Sequence, residues 1–227
     1  MLQHISRRAG LVRALSTSAP YTLPSFSALF ADIEADAAKN KLIKVSKLTN
    51  LFKTATTKED LEATKQALKI YERKHIDPLE VTAGEFVKAC LKLDAADVAL
   101  SVLAQNYRIG LFVNAGPLNK LLLHFKNAND DASLLSAFDE AKKYELRYNG
   151  LSYRLALGAL LRTGEVDKAI ALLDTAAAAQ ALEPQTVNHA LIQLNKAEAA
   201  DKVAEVVAIV QKHNLTLNDL GAKLVAA

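Results

Sequence analysis

The sequence is poor in residues that break helices and in residues that build covalent or metal-bound frameworks. It has 8 Gly and 5 Pro among 227 residues, a single cysteine and no tryptophan. Scarce Gly and Pro favour long helical segments, because both residues destabilise helix interiors. One cysteine excludes an internal disulfide framework and a cysteine-rich zinc site. No window holds roughly 18 consecutive apolar residues, so the sequence predicts no membrane-spanning helix.

Signatures of catalysis and of cofactor binding are also absent from the sequence. It has no Gly-rich phosphate loop, no His-Glu-x-x-His motif and no metal-ligand spacing among its 5 histidines. Cys90 lies in the apolar helical stretch FVKACLKL, where a buried, inert thiol is favoured over a nucleophile. We therefore expect a non-catalytic protein with no cofactor, no bound metal and no small-molecule substrate.

The start of the chain lacks acidic residues, since the first is Asp32. Residues 1–20, MLQHISRRAGLVRALSTSAP, carry Arg7, Arg8 and Arg13, largely opposite an apolar helical side. This pattern is typical of a mitochondrial transit peptide, and a disordered basic tail is the alternative. We expect a mitochondrial protein of the matrix or the matrix-facing side.

The rest of the chain is close to neutral, because the three arginines of this segment account for the whole net charge of +3. Near-neutrality weakens any argument for nucleic-acid binding from charge alone. One lysine-rich stretch is the exception, with no acid between its members Lys39, Lys41, Lys44, Lys47, Lys53 and Lys58. It predicts a basic end-face that contacts phosphates, the alternative being solvated lysines on amphipathic helices.

The stretch LSYRLALGALLRTGEVDKAIALLDTAA, residues 151–177, contains two apolar helical runs separated by residues 162–165. Copies of this pattern recur every 34 or 35 residues, with units that begin near Ser46, Val81, Gly116, Leu151 and Gln185. The seventh place is always apolar, and it is occupied by Phe52, Val87, Leu122, Leu157 and Leu191. A fixed phase over five units indicates a repeated helical hairpin.

A hairpin of this length cannot bury its apolar faces alone, so the units must stack on one another. We predict an all-α protein, an α-solenoid of about five 34–35-residue helix-turn-helix repeats with an N-terminal capping helix. The expected domain limits are 21–45 for the capping helix and lead-in, 46–219 for the repeats and 220–227 for a partial C-terminal cap. Two pairs, Thr56 with Glu59 and Thr82 with Glu85, have the spacing of a capping box.

The best copy, LSYRLALGALLRTGEVDKAIALLDTAAAAQALEP, resembles the pentatricopeptide repeat family. The resemblance rests on SY at the start of the first helix, TGEVDKAIALL at the turn and LEP at the end of the unit, and it extends over about 46–219. The tetratricopeptide family is the nearest rival. Its expected Trp, Gly and Tyr pattern in the first helix is missing, and the chain has no Trp.

The resemblance implies that an RNA base is recognised by the fourth residue of a unit together with a residue at its end. In this register the pairs are Thr49 with Leu79, Gly84 with Asn114, Asn119 with Asn149, Arg154 with Gln185, and Asn188 with Asn218. The two Asn–Asn pairs resemble pyrimidine-type combinations. The alternative is that these asparagines cap helices and turns. We predict that RNA or partners bind at Asn119, Asn149, Asn188, Asn218, Lys44, Lys47 and Lys53.

Four tyrosines are further candidates for stacking on bases, and these are Tyr71, Tyr107, Tyr144 and Tyr148. Packing in the core or between repeats is the favoured interpretation of their positions. The functional hypothesis is an RNA- and protein-binding component of a mitochondrial ribonucleoprotein, with the mitochondrial ribosome as the first choice. The alternatives are an accessory subunit of a respiratory-chain or ATP-synthase complex, and a free factor in organellar RNA maturation or translation. The expected partner is thus a large mitochondrial assembly.

Overall fold

The computed structural model describes residues 22–105, 107–196 and 199–225, and within these ranges it contains helices and no β-strand. The α-helices are α1 Phe26–Ala38, α2 Val45–Thr54, α3 Lys58–Arg73, α4 Glu80–Lys92, α5 Ala96–Gln105, α6 Ala115–Asn127, α7 Asp131–Glu140, α8 Gly150–Arg162, α9 Val166–Ala178, α10 Pro184–Lys196, α11 Ala200–Lys212 and α12 Asp219–Val225. Short 3-10 turns, Tyr107–Ile109 and Ala141–Tyr144, follow α5 and α7. The predicted all-α class is confirmed. The proposed transit peptide, residues 1–20, lies outside the described residues.

Each repeat contributes a first helix, which we call an A helix, and a second, which we call a B helix. The A helices are α2, α4, α6, α8 and α10, and the B helices are α3, α5, α7, α9 and α11. The A helices begin at Val45, Glu80, Ala115, Gly150 and Pro184, which are 35, 35, 35 and 34 residues apart. Each A helix packs on the B helix of its own unit and on the next A helix along the chain. The predicted α-solenoid of five hairpins is therefore confirmed, with each start one residue earlier than predicted.

Left-handed residues end the B helices with the same period. Positive φ angles of 51–64° occur at His75, Gly110, Glu145, Gln180 and Asn214, which are again 35, 35, 35 and 34 residues apart. At three of these positions the next amide donates back across the helix end, from Ile76 to the Tyr71 carbonyl at 3.1 Å, from Ala181 to Ala176 at 2.9 Å and from Leu215 to Val210 at 2.9 Å. This is the 6→1 hydrogen bond of a Schellman motif, which satisfies a free carbonyl at the helix terminus. The left-handed position therefore repeats with the period of the helices, although Gly110 is the only glycine of the five.

The chain enters α3 through a capping box that lies one residue beyond the predicted one. Thr57 Oγ1 accepts from the Asp60 amide at 3.1 Å, and the Asp60 carboxylate accepts from the Thr57 amide at 3.2 Å. The predicted pair, Thr56 with Glu59, is wrong, because the carboxylate three residues after the cap belongs to Asp60. Asp60 also accepts from the Thr56 amide at 2.8 Å, which fixes the chain just before the helix.

The core lies between the A and B layers and is apolar at the repeated positions. All five seventh-place residues, Phe52, Val87, Leu122, Leu157 and Leu191, are buried. Neighbouring units interlock there, as shown by the rings of Phe52 and Phe86, whose centroids are 4.9 Å apart. Burial of one such side chain stabilises the fold by roughly 1.5–3 kcal/mol relative to exposure. Stacking therefore supplies the burial that a lone hairpin lacks.

Helices at both ends cover the stack. At the N-terminal end, α1 buries Leu29 and Ile33 against α2 and α3, which confirms the predicted capping helix. At the other end, α12 begins 35 residues after Pro184 and packs on α10. It therefore occupies the place of a sixth A helix and covers the last repeat.

Candidate RNA- and partner-binding face

The A helices lie side by side, so the exposed residues of α2, α4, α6, α8 and α10 form a common surface, which we call the A face. The predicted site residues all belong to this layer. Three of them, Lys44, Asn149 and Asn218, directly precede α2, α8 and α12. The other four lie within A helices, namely Lys47 and Lys53 in α2, Asn119 in α6 and Asn188 in α10.

The first predicted amide pair is joined by a hydrogen bond. Asn119 Nδ2 donates to Asn149 Oδ1 at 3.0 Å, and Ser152 Oγ donates to Asn119 Oδ1 at 2.7 Å. Asn149 is also the N-cap of α8, since its Oδ1 accepts from the Ser152 amide at 3.0 Å. Asn119 is 6% exposed and both polar atoms of its amide are engaged. The pair thus links α6 to α8. Its only polar group that remains exposed to a ligand is the side-chain amide nitrogen of Asn149.

The second amide pair repeats this arrangement with one difference. Asn188 Nδ2 donates to Asn218 Oδ1 at 3.0 Å, and Asn218 accepts from the Gly221 amide at 2.9 Å. Gly221 takes the place that Ser152 has in the first pair, and it offers no hydroxyl. Within the described part of the chain, the buried Asn188 Oδ1 therefore has no hydrogen-bond partner. A Cβ on Gly221 would lie 2.7 Å from this oxygen, so the small residue allows the close approach of α12.

In the fourth unit, where Arg154 was paired with Gln185, the structure also brings a carboxylate close to Arg154. The shorter spacing to α10 makes Glu183, rather than Gln185, the equivalent of Asn149. Arg154 lies 3.8 Å from the Glu183 carboxylate and donates to Gln185 Oε1 at 3.1 Å. The predicted pairing of Arg154 with Gln185 is therefore a real contact, but the residue at the repeated unit end is Glu183.

Buried hydroxyl groups make the corresponding link between α2 and α4. Thr49 and Thr82 are both buried, and their hydroxyl oxygens are 2.8 Å apart. The predicted capping box of Thr82 with Glu85 is wrong, because α4 already begins at Glu80 and Thr82 lies inside it. The hydroxyl of Thr82 is used to join two repeats rather than to start a helix.

The lysine-rich stretch is partly neutralised by acids that are distant in sequence. Lys47 donates to the carboxylates of Asp32 and Asp36 in α1, and these contacts raise the pKa of Lys47 and lower that of Asp36. Lys58, the last lysine of the stretch, forms an ion pair with Asp97 at 2.7 Å. By contrast, Lys44 and Lys53 are exposed and form no ion pair with the described residues. Of the three predicted lysines, these two retain an uncompensated charge.

A cationic groove lies further along the A face, between α6, α8 and α10, and no sequence pattern had singled it out. It has a volume of about 360 Å³ and is lined by residues that include Lys126, Arg154, Gly158, Arg162 and His189. Three cations and a histidine thus meet from three consecutive units. Arg162 is fixed by Asp131, to which its Nε donates at 2.9 Å. We call this feature the Gly158 groove.

The repeat pattern did not reveal the cations of the Gly158 groove, because they occupy different positions in their units. Lys126 is residue 12 of its helix, Arg154 and Arg162 are residues 5 and 13 of theirs, and His189 is residue 6. A comparison at fixed repeat positions therefore finds no basic stripe. Projection of each A helix onto one surface would have found the cluster, since residues 154, 158 and 162 are spaced by one turn.

The electrostatic environment of His189 reflects this crowding. Its pKa is lowered, first by burial and then by the positive charges of Arg162, Lys126, Arg154 and Lys196. Both causes disfavour the charged imidazolium. The groove therefore favours the neutral form of His189.

The described tyrosines pack in the core or between repeats, as favoured from their positions. Tyr71 is fully buried and donates to the Lys44 carbonyl at 2.9 Å. Tyr144 and Tyr148 are half-buried and donate to the carbonyls of Leu103 and Phe138 at 2.9 and 2.7 Å. The Tyr107 side chain lies outside the described part of the structure.

Within the described ranges, no cluster of His, Cys, Asp or Glu has the arrangement of a metal site. In the same residues, no helix combines the length and the apolarity needed to cross a membrane. Cys90 is fully buried, and burial raises its pKa to about 12.

Together, the stacked hairpins and the surface of side-by-side A helices define a helical-repeat protein of the α-solenoid class. No protein-family model matches the chain. The sequence is similar to that of pentatricopeptide repeat-containing protein 2, mitochondrial, from Mus musculus. The two are 25% identical over 143 residues, which are 60% of this chain and 37% of the mouse protein. The chain thus matches little more than a third of the length of that relative, and the similarity agrees with the resemblance seen in the repeats.

Proposed function

We propose that this chain is a non-catalytic mitochondrial helical-repeat protein whose A face binds RNA within a ribonucleoprotein assembly, the mitochondrial ribosome being the first to test. The observation that carries the proposal is the convergence of Lys126, Arg154 and Arg162 on one groove of that face. Lys126 has no ion-pair partner among the described residues, whereas Arg154 and Arg162 are each paired with one acid and would reach a phosphate through their remaining N–H donors. Lysine and arginine side chains that contact phosphates release counterions, which gives affinity for nucleic acid without sequence preference.

Two observations support the mitochondrial setting. Residues 1–20 have the arginine-rich, acid-free pattern of a transit peptide. The mouse relative carries both "pentatricopeptide repeat" and "mitochondrial" in its name. The proposed domain limits remain 1–20, 21–45, 46–219 and 220–227.

The predicted residues have separate roles in this proposal. Lys44 and Lys53 add phosphate contacts at the N-terminal end, because they are exposed and form no ion pair with the described residues. Lys47 contributes less, since Asp32 and Asp36 already offset its charge. Asn149 and Asn218 offer exposed amide nitrogens to bases, while Asn119 and Asn188 hold them in place through the 3.0 Å hydrogen bonds.

A second function, the accessory subunit of a respiratory-chain or ATP-synthase complex, is favoured by a different feature. A second groove, of about 430 Å³, lies between α7, α8 and α9, and its lining combines apolar residues such as Phe138, Leu160 and Leu172 with the charged residues Asp139, Lys142, Glu165 and Lys168. A lining that mixes apolar contacts with charges of both signs suits a protein partner better than the uniformly negative backbone of RNA. A free factor in RNA maturation or translation is the third candidate, and it would share the RNA-binding A face.

The first experiment is native sizing of the protein from detergent-solubilised mitochondria, with and without ribonuclease. A large complex that collapses on ribonuclease treatment and contains ribosomal proteins supports the first function. A complex that resists ribonuclease and contains respiratory subunits supports the second. A small ribonuclease-sensitive complex without ribosomal proteins supports the free factor.

Binding of the purified protein to single-stranded RNA then tests the A face. The charge reversals Lys126→Glu and Arg154→Glu should weaken binding and lower its salt dependence by about one counterion per lost phosphate contact. Lys69→Glu is the matched control, since Lys69 is exposed on α3 in the B layer. Equal losses for the three variants would refute the assignment of RNA to the A face.

A further inference from the structure

The floor of the Gly158 groove is bare, and two nitrogen atoms point over it. A Cβ placed on Gly158 would lie 3.3 Å from Arg162 Nη1 and 3.5 Å from His189 Nε2. Both atoms therefore reach the same small space above the α8 backbone. Donors that converge on one point favour a compact ligand that accepts several hydrogen bonds.

The side chains around this space are held in place before any ligand arrives. Arg162 Nε and Nη2 both donate to Asp131, which leaves Nη1 directed to the groove. Arg154 is held by Gln185 at 3.1 Å and lies near Glu183. Fixed guanidinium groups match the geometry of phosphate oxygens and lose little freedom on binding.

Charged residues from three neighbouring helices surround His189. Arg154 and Arg162 come from α8, Lys126 from α6 and Lys196 from the end of α10 itself. The acids of the groove, Asp131 and Glu183, are paired with Arg162 and Arg154. The net field at His189 is positive, so an anion in the groove would favour the imidazolium form.

From this geometry we propose that the Gly158 groove holds one phosphate group and that His189 takes up a proton when the phosphate binds. The volume, about 360 Å³, is at the small end of ligand sites, which span roughly 300–1,000 Å³. It suits a phosphate with its attached nucleoside rather than a partner helix. The inference rests on the proposed RNA-binding function for the source of that phosphate.

Two phosphate sources share this chemistry, the internal diester of a strand and a terminal monoester. The probes are 12-nucleotide oligouridines with a 5′-phosphate, with a 3′-phosphate or with hydroxyls at both ends. A terminal site predicts about tenfold tighter binding of one phosphorylated end, whereas an internal site predicts equal binding of the three probes.

Proton uptake predicts that binding tightens as the pH falls. His189 is mainly neutral in the free protein at pH 7.5, because its pKa is lowered, and it becomes charged in the complex. The affinity should then rise by up to about tenfold per pH unit below pH 7.5, the limit for one proton, and level off once free His189 is itself protonated. A terminal phosphate monoester itself titrates near pH 6. The probe with two hydroxyl ends lacks this group, so any pH dependence of its binding comes from the protein.

Two variants test the groove and a third is the control. His189→Gln should abolish the pH dependence, and Gly158→Ala should weaken binding severalfold by filling the space between Arg162 and His189. His124→Gln, on α6 beside Phe125, should leave both properties unchanged. Folding of each variant is checked by circular dichroism. The histidine resonances of the wild type, followed by NMR, should show the His189 pKa rise when the two-hydroxyl probe binds.

The possible failures differ. RNA binding that keeps its salt dependence but ignores pH, Gly158→Ala and His189→Gln would overturn the groove inference and leave the proposed function standing. Absence of RNA binding would refute the proposed function. In that case the groove inference survives only if inorganic pyrophosphate still raises the His189 pKa, and it fails if it does not.

Discussion

The amide of Asn119 donates to the side-chain oxygen of Asn149, 3.0 Å away, and so joins the A helices of two consecutive repeats. Ser152 completes the contact by donating to Asn119 Oδ1 at 2.7 Å. The residues predicted to recognise a base are therefore also a buried polar link between repeats. Removal of one partner would leave a buried polar group unsatisfied, which costs stability.

Ser152→Ala is expected to destabilise the protein by about 1–3 kcal/mol, because it leaves the buried Asn119 oxygen without a donor. Urea unfolding followed by circular dichroism measures the free energy of unfolding. Ser136→Ala, at an exposed position of α7, is the control and should change this energy by less than about 0.5 kcal/mol. Equal effects of the two substitutions would show that the amide link adds nothing to stability.

The lysines at the N-terminal end should differ in their effect on RNA affinity. Lys53→Glu reverses an exposed charge that has no ion-pair partner among the described residues, and it should lower both the affinity and the salt dependence of binding. Lys47→Glu should have a smaller effect on affinity, since Asp32 and Asp36 already offset this lysine. Fluorescence anisotropy with labelled oligouridine at several salt concentrations measures both quantities.

The matched control is the double substitution Asp32→Asn with Asp36→Asn, which releases Lys47 from its partners. Affinity should then rise, and Lys47→Glu in that background should cause a loss as large as that of Lys53→Glu. A larger loss from Lys47→Glu than from Lys53→Glu in the unmodified protein would contradict the charge pairing seen between α1 and α2.

The fold and the positions at which the repeats begin could be predicted from the sequence, because both depend on local signals. The apolar seventh place and the turns between helices recur in the chain itself, so the stack of five hairpins follows from the period. Helix starts were found within one residue, but the capping pair at Thr57 and Asp60 was misplaced, since neighbouring Thr and acidic residues satisfy the same spacing.

The site was less predictable, because its residues meet across units. The Asn pairs were found through a fixed spacing, and the structure adds the Ser152 hydroxyl that completes one of them. The neutralisation of Lys47 by α1 required the packing of a helix outside the repeats. The Gly158 groove required three helices to be set side by side, and its cations share no repeat position.

Cys90 is expected to be unreactive in the native protein. It is fully buried, and burial raises the pKa of its thiol to about 12, so almost none of the nucleophilic thiolate is present at pH 8. Its reaction with 5,5′-dithiobis(2-nitrobenzoate) should be slow without denaturant and should accelerate with the urea concentration as unfolding exposes α4. Native labelling at the rate of a free thiol in the same buffer would contradict this burial.

Backbone conformation at the helix ends gives a last test, in which one type of substitution should act in opposite directions. Gly164 follows α8 with φ +77°, and a Cβ added there would meet no neighbouring atom within 4 Å, so Gly164→Ala reports backbone strain alone. We expect it to destabilise the protein by about 1–2 kcal/mol, the difference between alanine and glycine in the left-handed region. Gly84→Ala, inside α4 and equally open, should instead stabilise it by about 0.5–1 kcal/mol, because alanine favours the helix. Thermal and urea unfolding measure both changes, and equal signs would mean that the turn after α8 is not left-handed in solution.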